Sequence, residues 1–272
     1  MNAGSKNSRK SPAAAAQPYI VFDRVSKAYS GNSNGASRPI LLDVDLVIGR
    51  GEFVSLIGPS GCGKSTILKL VAGLTPVSSG GLSIEGLTPT NAREIVSFIF
   101  QDATLLPWRT VAENVGLRLE LERTARFRRE EKVASLLDLV GLTGAAKSYP
   151  RELSGGMKMR VSIARALSTR PRVLLMDEPF AALDEISRDR LNEEILRLQD
   201  EQKWTALFVT HSVAEAVFLS SRVLVMAPHP GRIACEIPID LTYPRTTDTR
   251  LEPAYEELVA HVSRTLREVH DV

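Results

Sequence analysis

At 272 residues, with 43 % hydrophobic and 24 % charged side chains and a net charge of +2, the chain has the balance of a soluble globular protein. The near-neutral charge argues against bulk nucleic-acid binding, and no run approaches the ~18 apolar residues that a membrane-spanning helix needs. Only Cys62 and Cys235 are cysteines, with no CxxC or zinc spacing, which disfavours a disulfide framework and suits a reducing cytosol.

Residues 1–17 are rich in Ala, Ser, Asn and basic side chains, and the first acidic residue is Asp23. A disordered basic tail is the expectation, with an organellar transit peptide as the alternative. Strands are predicted at 19–22 and 40–48, separated by a polar insert, 30–38, that reads as a surface loop. Leu42, Val44 and Leu46 alternate with polar positions, as in a half-exposed antiparallel strand. Residues 53–57 then read as a buried strand and 66–72 as a helix.

Between that strand and helix lie Gly58, Pro59, Ser60, Gly61, Cys62, Gly63, Lys64, Ser65 and Thr66, which fit the Walker A phosphate-loop template. Glycine at 58, 61 and 63 permits close backbone approach to an anion, and the helix start faces the phosphates with its positive end. Lys64 supplies a point charge for the outer phosphates, and the Ser65 hydroxyl can ligate Mg²⁺. Cys62 reads as a small loop residue, not a nucleophile, whose alkylation would hinder nucleotide binding.

Residues 82–84 and 95–100 are strand-like, and from about 104 to 169 the pattern turns helical. The mixed charges of 120–132 read as a solvated helix face. Strands return at 173–176, 206–209 and 223–226, with Leu191, Ile195 and Leu198 marking one face of a helix between the first two. No internal repeat is visible. The apolar run from Val173 ends in Asp177 and Glu178, at the end of a strand where open α/β sheets place their ligands. Asp177 can hold Mg²⁺, and Glu178 can polarise the water that attacks a γ-phosphate.

Leu153, Ser154, Gly155, Gly156 and Met157 open a helix running to Leu167. With the Walker A loop and the strand ending at Asp177, this stretch resembles the signature of the ATP-binding cassette (ABC) ATPases over roughly residues 18–240. The resemblance implies an α/β P-loop NTPase core with an antiparallel β subdomain and an inserted helical signature subdomain, followed by a helical extension over 241–272. It implies ATP and Mg²⁺ as ligands. Tyr29 is similar to the aromatic that stacks on adenine, and Gln101 to the glutamine that touches Mg²⁺ and the attacking water. Asp184 resembles the D-loop aspartate at the dimer seam, and His211 the histidine that contacts the γ-phosphate. Met157 stands where many members have Gln, which weakens an outer contact. Ser212 stands where Asp is frequent, but Ser212 to Glu215 reads as a capping box that still starts the helix.

The resemblance implies a homodimer, in which each signature covers the ATP held by the other copy, and the single motif set fits it. It also implies two transmembrane permease subunits, an indirect link to a substrate-binding protein, no nucleic-acid partner, and a peripheral place on the cytoplasmic face of the inner membrane. Residues 104–109 are a candidate wall for a permease helix, with Leu105, Leu106 and Trp108 as subdomain core the alternative. Residues 106–114, 228–233 and 243–247 resemble the nitrate/sulfonate/taurine importer subgroup, and the chain leaves no room for an added regulatory domain. The competing expectations are a soluble ABC ATPase acting on ribosomes or DNA, and a regulatory nucleotide-binding module without turnover.

Overall fold

The computed structural model describes residues 17–30 and 37–270, so the expectations for the tail and most of the polar insert lie outside the described residues. β1 (Pro18–Ser30), β2 (Ser37–Gly49) and β4 (Ser79–Ile84) form an antiparallel sheet in the order β2-β1-β4. A second sheet has the order β5-β6-β7-β3-β8-β9. It comprises β3 (Phe53–Ile57), β5 (Val96–Ile99), β6 (Val173–Asp177), β7 (Thr205–Val209) and β8 (Arg222–Ala227), all parallel, with β9 (Arg232–Pro238) antiparallel at one edge.

Strands β3, β6 and β7 are buried throughout because both faces of the parallel sheet are covered. Their side chains divide by the two-residue period of a strand. Phe53, Leu174, Met176, Phe208 and Val225 enter one core, and Val54, Leu56, Val173, Leu175 and Leu207 enter the other. The second core contains α1 (Lys64–Val71) and the antiparallel sheet. The first contains α6 (Glu185–Gln202), α7 (Val213–Leu219) and α8 (Pro253–His270). It continues without a break into α2 (Val111–Val115), α3 (Leu117–Leu121), α4 (Arg126–Leu139) and α5 (Gly155–Leu167). Leu191, Ile195 and Leu198 are buried on the inner face of α6.

Three local expectations are corrected. Leu42 does not share a face with Val44 and Leu46: it is exposed, and Leu41 is buried in its place. A bulge causes this, since Val25 pairs with Val44 but Lys27 pairs with Leu41, and Asp43 takes a left-handed φ of 45°. The charged run 120–132 is not one helix face, because α3 ends at Leu121 and α4 starts at Arg126. Residues 104–110 precede the first helix of the helical region and are irregular. No helix among the described residues is long and apolar enough to cross a membrane.

Candidate active site

The carboxyl ends of β3, β5, β6 and β7 present the loop 58–63, Gln101, Asp177 with Glu178, and His211. Gly63 precedes α1 with φ 99° and offers no side-chain cap, so the first amides of the helix stay free to bind an anion. At Gly58 a Cβ would come 2.7 Å from the Met226 carbonyl oxygen, which excludes a side chain there. The Lys64 ammonium is buried and donates to the Gly58 and Pro59 carbonyls, each at 2.8 Å, so the charge sits inside the loop. Ser60 and Gly61 lie exposed at the tip, with Pro59, Ser65 and Thr66 half-buried. Cys62 is fully buried, and that burial pushes its thiol up, which makes alkylation slow as well as obstructive.

The loop rests on an unexpected support. A Cβ at Gly231, in the turn between β8 and β9, would lie 1.9 Å from the Cys62 carbonyl oxygen. The Gly231 amide donates to Ile40 O at 2.8 Å and its carbonyl accepts from Leu42 N at 3.0 Å, which leaves the turn no slack. Gly231→Ala is expected to push the Cys62 peptide out of line. Its nucleotide affinity should fall by about tenfold or more, the cost of weakening one charge-assisted contact. A titration with a fluorescent ATP analogue, beside a thermal melt, checks this; wild-type affinity in a folded variant would contradict it.

Asp177 ends β6 in a buried position, where Ser65 Oγ donates to its Oδ1 at 3.0 Å. Burial pushes the Asp177 carboxyl above its usual range, against the pull of the Ser65 hydroxyl. A buried carboxylate beside a hydroxyl at a phosphate loop fits a divalent cation, which would offset the cost of the buried charge. Among the described residues no group of three or more His, Cys, Asp or Glu gathers.

Glu178 has a left-handed φ of 49°, uncommon for a residue with a side chain, while its amide still donates to Val209 O at 2.9 Å. Its Oε1 lies 2.7 Å from Nε2 of His211, with the glutamate side chain 17 % and the histidine 51 % exposed. Gln101 follows β5 and is exposed. Tyr29 is 43 % exposed near the end of β1, with Lys27 Nζ 4.8 Å from its ring centroid. Lys27 pairs with Leu41, whose side chain packs on Gly63, so the aromatic stands on the strand pair that flanks the loop.

Ser154 caps α5 by accepting from Met157 N at 3.2 Å, and Ser154 and Gly155 are exposed. A Cβ at Gly156 would meet Ala182 O at 3.1 Å, so within one chain the described contacts of this stretch reach 182–183, not the phosphate loop. Met157 packs against the core in place of offering a polar group. Asp184 caps α6 through Ser187 N at 2.9 Å, a bond that holds its carboxyl below the usual range.

The family described as ABC transporter matches residues 41–181, half of the chain. The chain belongs to the ABC transporter family. Its cassette is 43 % identical over 227 residues to the aliphatic sulfonates import ATP-binding protein SsuB of Bacillus cereus, covering 84 % of this chain and 88 % of that one. It is 43 % identical over 244 residues to the nitrate import ATP-binding protein NrtC of Synechococcus elongatus, covering 88 % of this chain but only 37 % of that longer protein. The dimeric post-hydrolysis structure of the ATP-binding cassette MJ0796, bound to ADP and Pi, superposes with a TM-score of 0.75 at 30 % identity, covering 82 % of this chain and 99 % of that one. Relatives named for import do not favour a soluble ABC protein acting on ribosomes or DNA.

Sequence reading of this ABC cassette missed several groups. Arg165 of α5 donates to Ala103 O at 3.0 Å and Thr104 O at 2.9 Å, tying the segment after Gln101 to the signature helix. A lone cation between Ala164 and Ala166 was its only local sign. Fully buried Asn114 donates to Leu106 O at 3.1 Å and accepts from Leu106 N at 2.8 Å, which shapes the 106–110 turn. The two readings of that turn divide: Trp108 is 70 % exposed, while Leu105 packs on the core. The capping box at Ser212 is half-formed. Ser212 accepts from Glu215 N at 3.2 Å, but the Glu215 carboxylate turns inward.

Proposed function

We propose that this chain is the ATP-hydrolysing subunit of an importer for a small nutrient such as nitrate, an aliphatic sulfonate or taurine. The observation that carries it is the Glu178–His211 pair, 2.7 Å apart, beside a phosphate loop whose Ser65 bonds Asp177. Tyr29 stacks on adenine. The N–H groups of the 58–66 loop, Pro59 having none, and the Lys64 ammonium hold the phosphates. Ser65, Asp177 and Gln101 would hold Mg²⁺, which supplies charge neutralisation at the β- and γ-phosphate oxygens. Glu178 takes a proton from water as that oxygen bonds the γ-phosphorus; the bond to the β-γ bridging oxygen breaks and leaves ADP and phosphate. His211, whose Nε2 lies against Glu178, orients that carboxylate and meets the γ-phosphate.

Two copies form a homodimer in which Ser154, Gly155, Gly156 and Met157 of one cover the ATP of the other, with Asp184 at the seam. ATP binds the closed pair more tightly than the open one, so binding closes it and hydrolysis releases it. The cassette works at the cytoplasmic face of the inner membrane with two permease subunits, whose short helices meet the wall that carries Trp108. An associated binding protein selects the cargo. The cargo class rests on the relatives' names and on the 228–233 and 243–247 stretches. Tagged chain purified from mild-detergent extracts of its native membranes should bring down a multi-span membrane protein in stoichiometric amount; ribosomes or DNA in its place would overturn the transport reading.

A further inference from the structure

His211 sits in the turn between β7 and α7, where Thr210 bonds a buried carboxylate and Ser212 bonds Thr210. Thr210 Oγ1 donates to Glu215 Oε2 at 2.5 Å, and Ser212 N donates to Thr210 Oγ1 at 3.0 Å. The other carboxylate oxygen lies 3.4 Å from Arg188 Nε of α6, with the Glu215 side chain 7 % exposed. Arg188 reaches on with Nη2, which donates to the Leu183 carbonyl at 3.0 Å, the peptide that leads into Asp184. A chain of three contacts therefore joins the flanks of His211 to the D-loop.

The helix that follows His211 is held from its far side as well. The Tyr255 hydroxyl donates to Ala214 O at 3.0 Å, and the Arg250 guanidinium lies 4.1 Å from the Phe218 ring centroid and 2.9 Å from Asp189 of α6. Buried Arg245 donates to the carbonyls of Val217, Phe218 and Ser220 at 3.1, 2.8 and 2.8 Å, which satisfies the last turn of α7. The end of α7 is thus tied to Arg245, while Glu215 near its start is tied to the 210–212 turn.

We propose that Glu215 and Arg188 are positioning residues that fix the His211 turn against the D-loop and keep the imidazole in reach of Glu178. The proposal rests on the reading of Glu178 and His211 as the hydrolytic pair. It gives the 245–255 segment a role in the same frame. It also explains why Glu215 is diverted from the capping box, since its carboxylate accepts from Thr210 and forms an ion pair with Arg188 in place of the Ser212 amide. Burial, with Asp189 nearby, pushes the Glu215 carboxyl above its usual range, against the pull of the Thr210 hydroxyl, Arg188 and Arg250.

The test is ATP turnover by the dimeric protein with Glu215→Gln, which keeps an acceptor for Thr210 but removes the charge facing Arg188. We expect kcat to fall about 10- to 100-fold, the effect of displacing a catalytic group by about 1 Å, with KM for ATP unchanged. Arg188→Met should do the same, and Arg188→Lys should recover most of the rate. In a His211→Ala background, followed by single turnover, Glu215→Gln should add nothing, because it acts through the missing imidazole. Thr210→Val carries the same expectations should Glu215→Gln fail to fold. Unchanged kcat in a folded Glu215→Gln or Thr210→Val variant overturns the proposal, as does a loss that multiplies with that of His211→Ala. Full turnover by His211→Ala alone overturns the underlying assignment of the hydrolytic pair instead.

Discussion

Glu178→Gln is expected to lower ATP turnover by about 10²- to 10⁴-fold, the usual contribution of a positioned general base. The amide keeps the shape of the side chain and still accepts from His211, so the 2.7 Å contact and the fold survive. It cannot take the proton of the attacking water. ATP affinity should stay near wild type, because in the proposed site the phosphates rest on the loop's N–H groups and Lys64, not on Glu178. The variant should therefore bind ATP, fail to cleave it and accumulate as a closed dimer. Phosphate release measured beside sedimentation velocity reads both effects. Wild-type turnover in this variant would place the base elsewhere.

Lys64→Ala is expected to fail one step earlier. The ammonium is buried in the loop and donates to two of the loop's own carbonyls, Gly58 and Pro59. Its removal takes away the charge proposed to meet the outer phosphates and leaves those two acceptors without their donor. With about 1.5–3 kcal/mol for a hydrogen bond to a charged group, ATP affinity should fall about 10- to 150-fold, and turnover with it. Calorimetric titration of ATP, with a melt to confirm folding, reads the loss. A folded Lys64→Ala variant of unchanged affinity would remove the basis for the phosphate-loop assignment. The two substitutions thus separate holding the nucleotide from cleaving it.

What could be read from the sequence was local. The phosphate loop is legible because glycine spacing, a buried strand before it and a helix after it all lie within about twenty consecutive positions. The run from Val173 to Met176 is legible because a strand covered on both faces needs no polar alternation. The helix α6 is legible from the spacing of Leu191, Ile195 and Leu198, while Asp184, singled out only by the family resemblance, proves to be its N-cap.

What was lost depends on residues distant in the chain. The bulge at Asp43 reverses Leu41 and Leu42 because Ser26, on the neighbouring strand, exchanges hydrogen bonds with Asp43 at 3.0 and 3.2 Å. Gly231 reads as an ordinary turn glycine until the Cys62 carbonyl is found against it. Arg165 bonds backbone 62 positions away, and Glu215 leaves a standard local motif for an arginine on another helix. Each case sets a local preference against a tertiary contact; for Glu215 the contact prevails because the carboxylate is buried and must be paired.

Uptake tests most directly whether hydrolysis at this site drives import. Cells lacking the chain would receive either the wild type or Glu178→Gln at matched expression, and accumulation of labelled nitrate, an alkanesulfonate and taurine would be followed. Wild type should restore uptake of one of the three, and Glu178→Gln should restore none. Equal restoration by both would contradict the coupling of this cassette's ATP hydrolysis to transport.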